Sequence, residues 1–319
     1  MPATAASPAQ HDLVLECQGV EQAFGSKRVL CDVNLKIARG QIVALVGPSG
    51  CGKSTLLRAI LGTHPPQAGE ITMNGERVVG PGRKRGIVYQ RYSLFPFLTA
   101  QKNVAFGLML DQTNLWQRCF TFWKWLKLRQ RHLEESTALL DRLKLGPAVH
   151  QYPTEMSGGM CQRVAIAQAL VMKPDVLLLD EPFGALDEAT REEMQQTLLD
   201  LYQENLKARQ AGLPAPYTIL IVTHELNEAI YVADRVIGLS QYWDWQGEGL
   251  PASPGATVVY DAVSPVFNRC SEQEAAAYAR QREELRSAVF DPAVPTRRGE
   301  FVRFWKEVEE GRGVGVMQR

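Results

Sequence analysis

The run Gly47-Pro48-Ser49-Gly50-Cys51-Gly52-Lys53-Ser54 follows the apolar stretch Gln41 to Val46 and precedes the helix-forming stretch Ser54 to Leu61. It fits the pattern GxxxxGK[ST], between a buried strand and a helix. Glycines there let backbone N–H groups converge on phosphate oxygens, and the helix N-terminus adds partial positive charge. Lys53 then neutralises β- and γ-phosphates and Ser54 ligates Mg²⁺. Thr55, the next residue, counts with the binding loop. A glycine-rich turn with a chance lysine is the bland alternative, and the flanking elements count against it.

Outward from this loop, short apolar runs alternate with helical patterns from Asp12 to about Ser240, which reads as α/β. Leu13 to Leu15 and Val29 to Ile37 suggest early strands. Asn74-Gly75 inside Gly69 to Val79 predicts a hairpin. Gly86 to Gln90 is a further short strand. The continuous runs Val176 to Leu179 and Thr218 to Val222 suit a parallel sheet covered on both faces. Residues 99–148 are helix-rich, with Pro147 marking an end.

Two more motifs carry chemistry. Val176-Leu177-Leu178-Leu179-Asp180-Glu181 delivers two carboxylates to the C-terminal end of a strand, where ligands bind in open α/β sheets. Asp180 is placed to hold Mg²⁺, and Glu181 to polarise an attacking water as general base. Carboxylates also follow strands as plain caps, so the pair gains meaning from the loop at Lys53. Met156-Ser157-Gly158-Gly159-Met160, ahead of a helix from Cys161 to Met172, forms a second phosphate nest. Taken alone it is equally an ordinary serine cap.

Together these residues resemble the ATP-binding subunits of ABC transporters, over about Leu13 to Ser240. The resemblance implies a P-loop NTPase domain at 12–240 with a helical subdomain at about 91–171. ATP and Mg²⁺ are then the cofactors. Ser157-Gly158-Gly159-Met160 becomes the signature loop, which contacts the γ-phosphate held by a second subunit. Gln90 matches the Q-loop glutamine, a ligand of Mg²⁺. Ala185-Leu186-Asp187 matches the D-loop, and His224 the switch histidine, which acts on the γ-phosphate with Lys53 and Glu181. Phe24 sits where the family stacks an aromatic on adenine, with plain core packing as the other reading. Met160 in place of the usual Gln, Met156 for Leu and Gly80-Pro81-Gly82 look like importers of the nitrate, sulfonate and taurine type. Phe95-Pro96-Phe97-Leu98-Thr99 resembles that group's Pro-Trp-Leu-Thr stretch with Phe97 for Trp.

The implied partners are a second copy of the chain, an integral membrane permease and an extracytoplasmic solute-binding protein. The implied place is the cytoplasmic side of the inner membrane, with import of a small anionic solute. Export, a soluble ATPase acting on nucleic acid or ribosomes, and a non-catalytic scaffold are the rival readings. The 35 basic and 35 acidic residues create no global field for nucleic acid. No apolar run approaches the roughly 20 residues of a membrane-spanning helix. Six scattered cysteines fit a reduced, cytoplasmic chain.

Three segments stand apart. Residues 1–11 read as a disordered leader without a secretory signal. Residues 112–133 contain no acid, five Lys or Arg, and three of the six tryptophans. This looks like an insertion that touches anionic headgroups or partner loops, or else packs locally. Residues 241–319 read as an α-rich extension: a regulatory domain, a clasp on the second subunit or a strut on the membrane partner. The expected elements are a strand at Ala256 to Tyr260, a helix at Ser271 to Ser287 and a last helix at Phe301 to Glu310. No motif there marks a ligand site, and Trp243, Trp245 and Trp305 read as packing anchors.

Overall fold

The computed structural model describes residues 13–91, 93–112, 122–184, 186–250, 254–264 and 272–309. The leader, the first part of the basic insertion (113–121), Ala185 and the segment after 309 lie outside the described residues. The chain divides into two compact units. One comprises the residues up to Gly82 and those from Leu198 onward, the other Arg83–Thr197. The subdomain expected over about 91–171 falls inside the second. No helix among the described residues is long and apolar enough to cross a membrane.

In the first unit β1 (Leu13–Phe24) and β2 (Lys27–Ala38) form an antiparallel hairpin. β4 (Ala68–Met73) and β5 (Glu76–Arg77) extend it to a four-stranded sheet ordered β2-β1-β4-β5. Asn74 and Gly75, both at positive φ, make the tight turn between β4 and β5. A second sheet centres on β3 (Ile42–Val46). Parallel neighbours β8 (Ile219–Thr223) and β9 (Arg235–Ser240) flank it. All three strands are buried throughout, as the apolar runs of β3 and β8 and the Val236-Ile237 and Leu239 positions of β9 require. β3 feeds the glycine loop, and α1 (Lys53–Leu61) follows it, closing at Gly62.

The segment beyond Ser240 continues this sheet as well as adding helices. β10 (Thr257–Val263) pairs antiparallel with β9, and β11 (Phe301–Val302) lies parallel to β10. The expected last helix, Phe301 to Glu310, is therefore divided. Phe301 and Val302 pair with Tyr260 and Asp261, and helix starts only at Phe304. The other expected helix spans Glu272–Leu285 and passes into a wide π-type turn, Arg286–Phe290. Trp243 is 1% exposed, with its indole N–H donating to the Gly255 carbonyl and the Arg298 guanidinium 4.4 Å from its ring.

Arg235 of β9 is fully buried. Its guanidinium donates to both carboxylate oxygens of Asp261 on β10, at 2.7 and 2.6 Å, and to the Lys36 carbonyl at 2.7 Å. Phe304 covers its face at 4.0 Å. One buried charge thus joins β2, β9, β10 and the last helix.

Asp234, just before β9, accepts from the Ile42 N–H through Oδ2, while Oδ1 has no hydrogen-bond partner among the described residues. Burial lifts its carboxyl to about 7, against the pull of the Ile42 N–H and of Arg209 and Arg235. The raised value fixes the sign. The neutral acid is favoured in the fold, so this contribution is complete below the unfolded value near 4 and is lost as pH rises through about 7. The loss is on the order of 4 kcal/mol at most. Urea melts from pH 4 to 8 are expected to show this decline in the wild type. Asp234→Asn, neutral throughout, should flatten it, and an equal slope in both proteins would refute the assignment.

In the second unit β6 (Arg85–Val88) and β7 (Val176–Asp180) run parallel. The helices are α2 (Ala100–Asp111), α3 (Phe122–Arg142) and α4 (Gly158–Leu170). A further helix, α5 (Glu188–Gln210), begins here and ends in the first unit. Pro147 lies in a short 3-10 turn, Gly146–Ala148, after α3 has already ended. α4 begins at Gly158, not Cys161, because Ser157 caps it. In the first unit α6 (Leu226–Val232) follows β8, and the two helices of the last segment are α7 (Glu272–Leu285) and α8 (Phe304–Glu309).

Candidate functional site

The candidate residues fall into two sets, one in each unit. In the first, β3 ends inside the glycine loop, with Gly47 buried and Ser49, Gly50 and Ser54 exposed. Pro48 and Thr55 are half-buried. Gly52 adopts φ 105°, and a Cβ there would stand 2.8 Å from Leu30 and 2.9 Å from Val29. Only glycine fits both the turn and the close approach. Lys53 is 6% exposed, and its ammonium donates to the carbonyls of Gly47 at 2.7 Å and Pro48 at 3.1 Å. The charge is thereby held at the loop on a buried stem. Burial pushes the Cys51 thiol up, with Lys53 opposing, so the cysteine stays a neutral packing residue.

His224 follows β8 with its side chain 43% exposed and Nε2 3.7 Å from Glu225 Oε1. Its turn is braced on both sides. The Glu225 N–H donates to Thr223 Oγ1 at 3.0 Å, and that hydroxyl donates to Glu228 of α6 at 3.2 Å. Phe24 ends β1 with about half its surface exposed, so it is not a core residue.

In the second unit β7 ends at Asp180. Glu181 follows at φ 47°, a left-handed conformation that a non-glycine residue adopts only when the surroundings enforce it. The Gly184 N–H donates to the Glu181 carbonyl at 3.2 Å and closes the turn. Gln90, two residues past β6, donates from Nε2 to Glu181 Oε2 at 3.3 Å. Asp180, Glu181 and Gln90 thus gather at the C-terminal ends of two adjacent parallel strands.

The second glycine nest lies on the same unit. Ser157 Oγ accepts from the Met160 N–H at 3.2 Å, and Ser157 and Gly158 are exposed. Gly159 is buried, and a Cβ there would sit 2.0 Å from Thr190 Cγ2 on α5, so the close approach admits only glycine. Asp187 caps α5: its two oxygens accept from the Thr190 N–H and hydroxyl, each at 2.9 Å. Those bonds hold its carboxyl below the usual carboxylate range.

Some supporting residues carry no sequence motif. Asn103 is fully buried and clamps the Phe95-to-Leu98 loop, accepting from the Phe95 N–H and donating to the Phe95 and Leu98 carbonyls. A polar residue in the apolar stretch of α2 was the available signal. Thr190, three residues after Asp187, follows the spacing of a helix cap.

Comparison with known proteins gives these features a family. The ABC transporter family matches residues 30–184. The aliphatic sulfonates import ATP-binding protein SsuB of Bacillus licheniformis is 40% identical over 68% of this chain and 76% of its own length. The nitrate import ATP-binding protein NrtD of Synechococcus elongatus is 34% identical over 91% of this chain and 94% of its own, so the likeness continues beyond Ser240. Among solved structures, an ATP-binding cassette dimer in a post-hydrolysis state bound to ADP and Pi superposes with a TM-score of 0.56. It is 28% identical, over 79% of this chain and 100% of that one. The subgroup expected from Met160 and Gly80-Pro81-Gly82 is the one to which these import proteins belong. The chain is an ATP-binding, ATP-hydrolysing member of the ABC transporter family.

Proposed function

We propose that ATP is bound by the loop Gly47 to Thr55 and hydrolysed with Glu181 as general base, and that the chain thereby drives import through a separate membrane permease. The observation that carries the reading is Glu181 at the end of β7, its carboxylate oriented by Gln90 in an enforced backbone conformation. A base so held needs little reorganisation when it takes the proton of an attacking water. Lys53 would leave its carbonyl partners for the γ-phosphate, as a charge-assisted bond to phosphate outweighs one to a carbonyl. His224 would meet the same phosphate, and Phe24 would cover adenine with its exposed ring.

No cluster of three or more His, Cys, Asp or Glu occurs among the described residues. Mg²⁺ suits such sparse protein ligation, since it prefers one or two hard oxygens plus phosphates. The Ser54 hydroxyl, the Asp180 carboxylate and the Gln90 amide oxygen are hard donors of that kind. Mg²⁺ held by them would supply neutralisation of phosphate charge.

The exposed Ser157-Gly158 pair at the start of α4 supports a second role: it would bind the γ-phosphate of ATP held by another copy, giving a homodimer around two nucleotides. The remaining partners in this reading are the permease and an extracytoplasmic solute-binding protein, with the chain peripheral to the cytoplasmic face of the inner membrane. The solute would be small and anionic, as nitrate and sulfonates are. A phosphate-release assay with light scattering tests the site. Turnover and an ATP-dependent doubling of mass are expected, and Lys53→Ala should abolish both. Release that survives Lys53→Ala would refute it.

The described part of the basic insertion supports a lipid contact. On α3, Trp123 is 79% exposed, and Lys124, Lys127 and Arg131 are exposed beside it, three to four residues apart. A tryptophan flanked by cations suits an anionic bilayer surface. Lys124→Glu/Lys127→Glu/Arg131→Glu is expected to lower affinity for phosphatidylglycerol vesicles in a flotation assay by at least about 10²-fold, at roughly 1 kcal/mol for each of the three cations. Unchanged flotation would assign this face to its own domain.

A further inference from the structure

Beyond Ser240 the chain carries an open groove of about 530 Å³ that the nucleotide chemistry does not use, lined by Tyr260, Val263, Gln281 and a ring of charged residues. Every lining residue comes from β10, α7 or the segment Arg303 to Glu307. The volume suits a small organic molecule.

Gln281 carries the argument. It is 7% exposed, and its Nε2 donates to the Val263 carbonyl at 2.8 Å and approaches the Tyr260 hydroxyl at 3.4 Å. The carbonyl at Val263 fixes the amide orientation, because only the NH₂ end can face it. Oε1 is then left with no donor among the described residues. A buried acceptor without a partner costs about 1–3 kcal/mol, and a ligand N–H would remove that cost.

The charges around it sort into used and unused. Glu284 is occupied: Oε1 accepts from Arg303 at 2.8 Å and Oε2 from the Tyr260 hydroxyl at 3.3 Å. Arg303 spends one of its N–H groups on that pair. Arg280 and Glu307 line the same groove, and neither forms an ion pair among the described residues. One cation and one anion are therefore available, next to an unfilled acceptor. Ala262, Val263, Ala277 and the Tyr260 ring supply an apolar wall between them.

We propose that this groove is an effector site for a small zwitterion with an ammonium and an anionic group joined by a short carbon stem. Its ammonium donates to Gln281 Oε1 and faces Glu307. Its anionic group meets Arg280 and the free edge of Arg303. An anion alone would leave Gln281 and Glu307 unmatched, and a cation alone would face Arg280 and Arg303.

Isothermal titration of the full chain tests this with β-alanine and 2-aminoethanesulfonate as probes, against propionate, ethanesulfonate and ethylammonium. Saturable binding of at least one zwitterion is expected below about 10 mM, with each single-charge analogue at least about tenfold weaker. Gln281→Leu should lower affinity about tenfold. Arg280→Gln and Glu307→Gln, on the rim, should do the same without disturbing the fold, as checked by circular dichroism. ATP affinity should be equal in all three variants, so a fault in the nucleotide assignment would appear separately. No saturable binding by either zwitterion, or affinity unchanged in all three variants, would overturn the proposal.

Discussion

Glu181→Gln should bind ATP as tightly as the wild type and lose turnover by at least about 10²-fold. The substitution is conservative in every respect but one. Gln matches Glu in shape, and an amide oxygen still accepts the Gln90 N–H that now reaches Glu181 Oε2 at 3.3 Å. The left-handed backbone at φ 47° treats the two side chains alike. Lys53 and its loop lie in the other unit and keep their bonds. Only the capacity to take a proton is removed. A general base contributes about 10²–10⁴-fold, or about 3–5 kcal/mol of barrier. With binding intact and hydrolysis blocked, a homodimer around ATP should persist on size exclusion where the wild type reverts to monomer. Single-turnover phosphate release and chromatography read the two effects separately. Wild-type turnover in the variant would move the base elsewhere, and a loss of ATP affinity would show a structural role instead.

Most of the candidate site was legible because its chemistry is local in sequence. The glycine loop, Asp180-Glu181 and Ser157-Gly158-Gly159 each occupy a few consecutive residues at the end of an element, so periodicity and motif suffice to place them. Long-range causes were not legible. That Gly159 must be glycine depends on Thr190, thirty-one positions away on α5. The strain at Glu181 depends on a turn closed by Gly184. The sheet continuation past Ser240 was legible only in part. The apolar run Ala256 to Tyr260 announces β10, which extends to Val263, but Phe301-Val302 is too short for any pattern and becomes a strand through the neighbour it pairs with. Composition of 241–319, rich in charged and helix-forming residues, reports α7 and α8 but not β11. The effector groove is the extreme case. Its lining residues are scattered over nearly fifty positions and share no motif.

Asp261→Ala should destabilise the first unit by about 3–5 kcal/mol, the cost of stranding a buried charge. Arg235 is wholly buried and gives two charge-assisted bonds to Asp261. Without that carboxylate its guanidinium keeps only the Lys36 carbonyl and a long contact to Gln41, under the ring of Phe304. Water cannot compensate, since Arg235 has no exposed surface. A urea melt should show the midpoint falling at nearly constant slope. Replacing both partners, Arg235→Met with Asp261→Leu, should recover most of the loss, because the desolvation cost disappears with the charges. Arg235→Met combined with Asp261→Ala keeps the same cavity at 261 while removing the charge, so recovery in that variant separates a stranded charge from a cavity. The same pair also bears on the status of the extension. Arg235 belongs to β9, inside the part that reads as the ATP-binding domain, whereas Asp261 and Phe304 come from beyond Ser240. Ending the chain at Ser240 would strand Arg235 and leave the β9 edge unpaired. Truncation should therefore cost at least as much as Asp261→Ala and favour aggregation through the bare edge. A truncated chain with a wild-type melt would show the extension to be an independent appendage, and would leave the buried pair without its structural role.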